Sequence, residues 1–160
     1  MRGDKLLGRI FQINVSEGGL PKLARFHVEV RKEGILGDKQ RDTLVHGGPM
    51  RAICVYSLEK INALQEEGHP IYPGAIGENL TLSGIDWEKF HPGILLKIAE
   101  KVLIEVTSFT SPCSSLTPYF INGDYSRVSQ KVHPGWARVY ASVIEPGYIG
   151  IGDPVVVQQV

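Results

Sequence analysis

Arg25-Phe26-His27-Val28-Glu29-Val30-Arg31 alternates without a break, with Phe26, Val28 and Val30 on one side and charged or polar groups on the other. A period of two marks a strand with one buried face. Phe11, Ile13 and Val15 repeat the pattern. The runs Ala52 to Tyr56, Asn79 to Leu82, Ile94 to Ile98, Lys101 to Thr107, Trp136 to Val143 and Pro154 to Gln159 bring the strand candidates to about eight. Eighteen glycines and ten prolines punctuate them. Short strands separated by Gly/Pro turns predict a closed barrel or a sandwich.

Helices are few. Ser57 to Gly68 is the best candidate, with Ser57 as N-cap, Leu58, Ile61 and Leu64 on one face and Gly68 as the stop. Short helices are predicted near Leu116–Phe120 and Tyr125–Val132. No repeat or linker interrupts the 160 residues, so residues 1–160 read as one domain. A chain of this size buries roughly 70% of its unfolded surface and folds without disulfides or a structural metal.

Lysine plus arginine and aspartate plus glutamate number 17 each. That balance argues against nucleic acid as a partner, because phosphate neutralisation needs an excess of cations. No apolar run approaches the ~20 residues of a membrane helix, and Met1-Arg2-Gly3-Asp4-Lys5 does not open a signal peptide. With two cysteines, the expectation is a cytoplasmic protein with reduced thiols.

Those cysteines differ in setting. Cys54 lies mid-strand between Ile53 and Val55 and reads as core. Cys113 follows Lys101-Val102-Leu103-Ile104-Glu105-Val106 in the run Thr107-Ser108-Phe109-Thr110-Ser111-Pro112-Cys113-Ser114-Ser115. Hydroxyls surround it and a proline precedes it, so it reads as a loop thiol at a strand end. Nucleophile, sulfur carrier, metal ligand and quiet thiol all remain open. No lysine or arginine occurs between Lys101 and Arg127, so any activating charge comes from elsewhere. The isolated histidines His69, His91 and His133 each precede a proline, and none has zinc-site spacing with the cysteines.

The long loop Gly34 to Met50 supplies one source of charge: Asp38, Lys39, Arg41, His46, Gly47, Gly48 and Arg51 lie within or beside it. Glycines admit close approach of an anion to backbone amides, and the cations suit a phosphate. An irregular surface loop with solvated charges fits the same residues. It is not a Walker loop, because no Gly-Lys-Ser/Thr ends it. Gly74-Ala75-Ile76-Gly77-Glu78-Asn79 is open in the same way, as a turn into a strand or as an edge that hydrogen-bonds a heterocycle.

Together these stretches resemble the MOSC domain, named from the C-terminal region of molybdenum cofactor sulfurase. The resemblance runs through Ser16 to Lys22, Gly34 to Asp38, His46-Gly47-Gly48, Tyr56 to Glu59, Gly74 to Thr81, Val106 to Cys113 and Gly147 to Asp153, in that order. It implies a mainly β fold, a closed barrel of about eight strands similar to the pyruvate-kinase β-barrel. It also implies a small-molecule cofactor, the molybdenum cofactor (molybdopterin), with Cys113 as catalytic thiolate and metal ligand or as a sulfur carrier. On that reading Lys22, Lys39, His46, Arg51 and the amides of Gly47 and Gly48 hold the pterin or its phosphate. Ser111 lies beside the thiol, Glu78 and Asn79 bond the heterocycle, and Asp38 orders its loop. Larger relatives reduce N-hydroxylated compounds, and electrons or sulfur would come from a separate donor protein. The chain has no room for a sulfurase domain, so pyridoxal phosphate is not expected. One departure stands out. Many members carry an arginine in the loop before the Pro-Cys pair, where this chain has Phe109-Thr110-Ser111.

Overall fold

A computed structural model describes residues 6–39 and 48–158 of the chain. Its elements are β1 (Leu6–Val15), β2 (Leu23–Arg25), β3 (His27–Arg31), β4 (Gly34–Ile35), β5 (Ile53–Ser57), α1 (Leu58–Glu66), β6 (Leu80–Ser83), β7 (Leu95–Ile98), β8 (Val102–Phe109), β9 (Val139–Glu145), β10 (Gly147–Gly150) and β11 (Pro154–Gln158). Short 3-10 turns, among them Pro49–Arg51 and Ser114–Tyr119, fill connections.

The strands pair in the order β11-β7-β8-β9-β5-β6-β1, and β1 pairs with β11 to close the barrel. Seven strands complete the ring. The eighth, β2, hangs on the far half of β1 through Ile13–Arg25 and Val15–Leu23. A separate three-stranded sheet, β10-β3-β4, packs alongside. Closure removes the unpaired edges of the seven-stranded ring.

All pairs in the ring are antiparallel except β5–β6. Parallel neighbours need a crossover, and α1 supplies it. Ser57 Oγ accepts from Lys60 N at 3.1 Å as the expected N-cap. Ile61 and Leu64 turn inward, and Gly68 ends the segment at φ 103°.

The core is aliphatic, with Ile10, Ile13, Leu80, Leu82, Leu96, Ile104, Val106 and Val155 essentially inaccessible. Two expectations about its membership fail. Phe26 is 84% exposed, while Val28 and Val30 are buried. The alternating run is in fact two strands, and Phe26 is the corner between β2 and β3. Phe11 is also exposed, because the β1–β6 register shifts between Ile10 and Gln12. That bulge makes Ile10 and Ile13, three apart, the inward pair.

The buried Ile13 and the exposed Phe26 give unequal stability effects. Ile13→Ala empties a filled barrel site and is expected to cost about 2–5 kcal/mol. Phe26→Ala is expected to stay within about 0.5 kcal/mol. Urea unfolding of both variants measures the difference.

Candidate functional site

The wall formed by β5 and the first residues of β9, Val139–Ala141, is buried on both faces. Ile53, Val55, Val139 and Ala141 point into the core. Strand alternation sends Cys54 and Tyr140, direct register partners, to the opposite face. Arg138, just before β9, lies in line with Tyr140. The approach to β9 is fixed by the Tyr56 hydroxyl, which donates to Trp136 O at 2.6 Å, and by the Trp87 indole, which donates to Ala137 O at 3.0 Å.

Over this second face folds the segment after β8. Thr110 N donates to Arg138 O at 2.9 Å, which ties the loop to β9. The chain then runs extended to Cys113 (φ −136°, ψ 175°), which opens the 3-10 turn Ser114–Tyr119. Cys113 is half-buried, and its Sγ lies 2.9 Å from Ser115 Oγ.

Between loop and wall is a cavity of about 410 Å³. Cys113, Ser111 and Ser115 line it from the loop, and Cys54, Arg138 and Tyr140 from the wall. Lys22 and Lys39 enter from the loops that follow β1 and β4, and Leu20, Ile76, Leu116 and Pro118 supply apolar surface. No carboxylate is among the described lining residues.

Asp38 stands just behind, buried. Its Oδ1 accepts from Lys22 Nζ at 2.7 Å and from Ser16 N at 2.9 Å, and its Oδ2 accepts from Asn79 Nδ2 at 2.9 Å. This carboxylate ties three segments together.

Of the other residues singled out by sequence, Cys113, Ser111, Lys22 and Lys39 converge on the cavity. Glu78 and Asn79 do not. Both are fully buried and absent from its lining. Asn79 Oδ1 accepts from Cys54 N at 2.9 Å, and its Nδ2 also donates to Asn14 O at 3.2 Å. Glu78 Oε2 accepts from Gly74 N at 3.0 Å and from Thr81 Oγ1 at 2.9 Å. Their polar atoms brace the turn into β6, so the structure gives them a supporting part in place of the expected contact with a heterocycle. Gly48 is exposed at φ 95°, and the Arg51 guanidinium lies 5.4 Å from the centroid of the Tyr140 ring. Neither lines the cavity. His46 and Gly47 lie outside the described residues.

Sequence reasoning missed Arg138, Tyr140 and the second face of Cys54. The signal was present in the alternation Arg138-Val139-Tyr140-Ala141, which puts Arg138 and Tyr140 on one side. Burial raises the Cys54 thiol pKa to about 11 and the Tyr140 phenol to about 12. Both are therefore protonated at neutral pH.

Burial also raises the Glu78 pKa. The folded chain then holds that proton more tightly than the unfolded chain. Stability from this group is complete below the unfolded value of about 4.3 and is lost as pH rises through the higher folded value. Glu78→Gln keeps an acceptor for Gly74 and Thr81 but no charge. Its stability is expected to fall less than the parent's between about pH 4 and neutrality, read from urea midpoints across pH. Asp38→Asn leaves the Lys22 ammonium buried without its counter-charge and is expected to cost about 3–5 kcal/mol in the same assay.

Comparison with known proteins agrees with this architecture. The family model of the MOSC domain matches residues 42–156. Protein YiiM of Escherichia coli is 31% identical over 86% of this chain and 64% of its own length. A Gibberella moniliformis protein named Reductase is 30% identical over 76% of this chain and 22% of its own. The chain thus spans less than two thirds of the length of the curated relatives it matches. Among solved structures, YiiM from Geobacillus stearothermophilus superposes with a TM-score of 0.73 at 26% identity, covering 95% of this chain and 75% of that one. Fold, ordered motifs and family match converge, and the chain belongs to the MOSC domain family.

Proposed function

We propose that the cavity holds a molybdenum-bearing pterin cofactor, with Cys113 as the thiolate ligand of the metal, in an oxidoreductase of the kind that reduces N-hydroxylated compounds. The observation that carries this reading is a thiol opening into a cavity whose described lining holds two lysines and an arginine and no carboxylate. The residues fit the group. A volume of about 410 Å³ falls within the roughly 300–1,000 Å³ of small-molecule sites. The thiolate is a soft donor suited to such a metal. Among the described residues no three His, Cys, Asp or Glu side chains converge to hold a metal; on this reading Cys113 adds one ligand to those of the cofactor. The name of the fungal relative, Reductase, points the same way.

The bound cofactor would supply electron transfer at the metal. The chain's own residues would bind and orient it. Cys113 would anchor it, with Ser115 Oγ, 2.9 Å away, able to donate to the thiolate. Lys39 and Lys22 face the cavity and would attract a phosphate; Lys22 does so less, because Asp38 balances its charge. Leu20, Ile76, Leu116 and Pro118 would exclude water. Tyr140, protonated at neutral pH, would present a proton donor at the cavity wall. Electrons would come from a separate donor protein.

A sulfur carrier, with a persulfide on Cys113, uses the same half-buried thiol. Metal analysis of protein made in a host that synthesises the cofactor separates the two. Near-stoichiometric molybdenum, lost in Cys113→Ala and retained in Cys54→Ala, is the expected result, because the Cys54 thiol stays protonated and binds metal poorly. No molybdenum together with cyanide-releasable sulfur on Cys113 would overturn the proposal in favour of the carrier.

A further inference from the structure

Arg138 is 7% exposed, and its side chain makes one hydrogen bond among the described residues, from Nη1 to Ile76 O at 2.8 Å. Its Nε is shut away from solvent with no partner. Nη1 is the outer nitrogen on the Cδ side. The edge left over is Nε with Nη2, the side-on fork that grips carboxylates and phosphates with two parallel bonds. A guanidinium stays charged at any physiological pH, and a buried donor without an acceptor is costly. Few native proteins leave one without a reason.

Among the described residues no counter-charge closes this fork. The described ion pairs do not include Arg138. Glu78 is close enough to feel its charge. Yet its Oε1 is likewise buried without a partner, so the two do not meet. Burial favours the neutral form of that carboxyl, which limits any compensation.

The residue is also held firmly. Its carbonyl accepts from Thr110 N in the Cys113 segment, and its Nη1 grips the turn that carries Ile76. A cation tied on two sides, with its gripping edge unpartnered, is pre-organised for a ligand.

We infer that Arg138, which lines the Cys113 cavity, is its oxyanion-binding residue, taking the phosphate or carboxylate of whatever molecule occupies it through its guanidinium. This assigns anion recognition to the barrel wall, where the sequence pointed to the His46–Arg51 loop. It deepens the cofactor reading without depending on molybdenum.

The test uses the full chain made without the cofactor. Alkylation of Cys113 is followed at its own peptide by mass spectrometry, with iodoacetate and with neutral iodoacetamide. The ratio of the two rates cancels the thiolate fraction and reports attraction of the carboxylate. Arg138→Met is expected to lower that ratio by about tenfold, the scale of one partly buried charge at an effective dielectric near 20. Lys39→Met is expected to lower it less. Inorganic phosphate should depress the ratio in the parent and leave it unchanged in Arg138→Met. An unchanged ratio in folded Arg138→Met would overturn the inference. Should that variant not fold, the Arg138 Nε–H resonance of the parent decides: a shift on phosphate titration supports the assignment, and none refutes it. Repeating the titration on cofactor-loaded protein identifies the source of the anion. Loss of the phosphate response means that the cofactor occupies the fork, and a retained response means that it serves a substrate. Either pattern stands apart from the molybdenum content, so this inference and the cofactor reading fail separately.

Discussion

The Asp38 carboxylate is the interaction on which the rest of the site depends. It lies behind the cavity and accepts from Ser16 N, Lys22 Nζ and Asn79 Nδ2. Those three donors belong to the residue that follows β1, the approach to β2 and the residue before β6. A charge this deep is tolerated only with a paired cation and filled lone pairs, and both conditions are met. Asn79 carries the constraint onward, because its Oδ1 accepts from Cys54 N in β5. One buried anion thereby fixes the loops that frame the cavity to the barrel that supports them.

The barrel then does something unusual with β5 and β9. Most strands of a small barrel bury one face, but β5 buries both along its length and β9 does so over Val139–Ala141. The inner face is aliphatic. The outer face carries a thiol, a phenol and a guanidinium beneath the Cys113 loop. Two neutral groups and one permanent cation, opposite a half-buried thiol and two lysines, make a chamber that favours an anionic ligand. On the proposed reading Arg138 supplies from the wall the cation that the loop before Pro112-Cys113 lacks, and its own carbonyl holds that loop at Thr110.

Much of this was legible in the sequence. All eight strand candidates form strands, α1 starts and stops at its expected Ser57 cap and Gly68, and the position of Cys113 at the end of β8 follows from the hydroxyl-rich run after an aliphatic strand. What escaped did so for physical reasons. The corner at Phe26 and the bulge at Phe11 leave no mark on hydrophobic alternation, because a backbone bend changes which face a residue shows without changing its type. Glu78 and Asn79 looked like ligand contacts because a polar pair after a glycine turn has the same composition whether it faces a heterocycle or braces its own backbone. Arg138 was overlooked because a cation inside a strand signal reads as solvent-facing, whereas the side chain is buried and bonded to the turn that carries Ile76.

Anomalous diffraction at the molybdenum edge, from crystals of protein purified from a cofactor-making host, tests the central claim most directly. The account predicts one molybdenum peak in the cavity at bonding distance from Cys113 Sγ, with the anionic part of the cofactor against Arg138. A cavity formed as described but without a metal peak, or a peak bonded elsewhere on the chain, would contradict it.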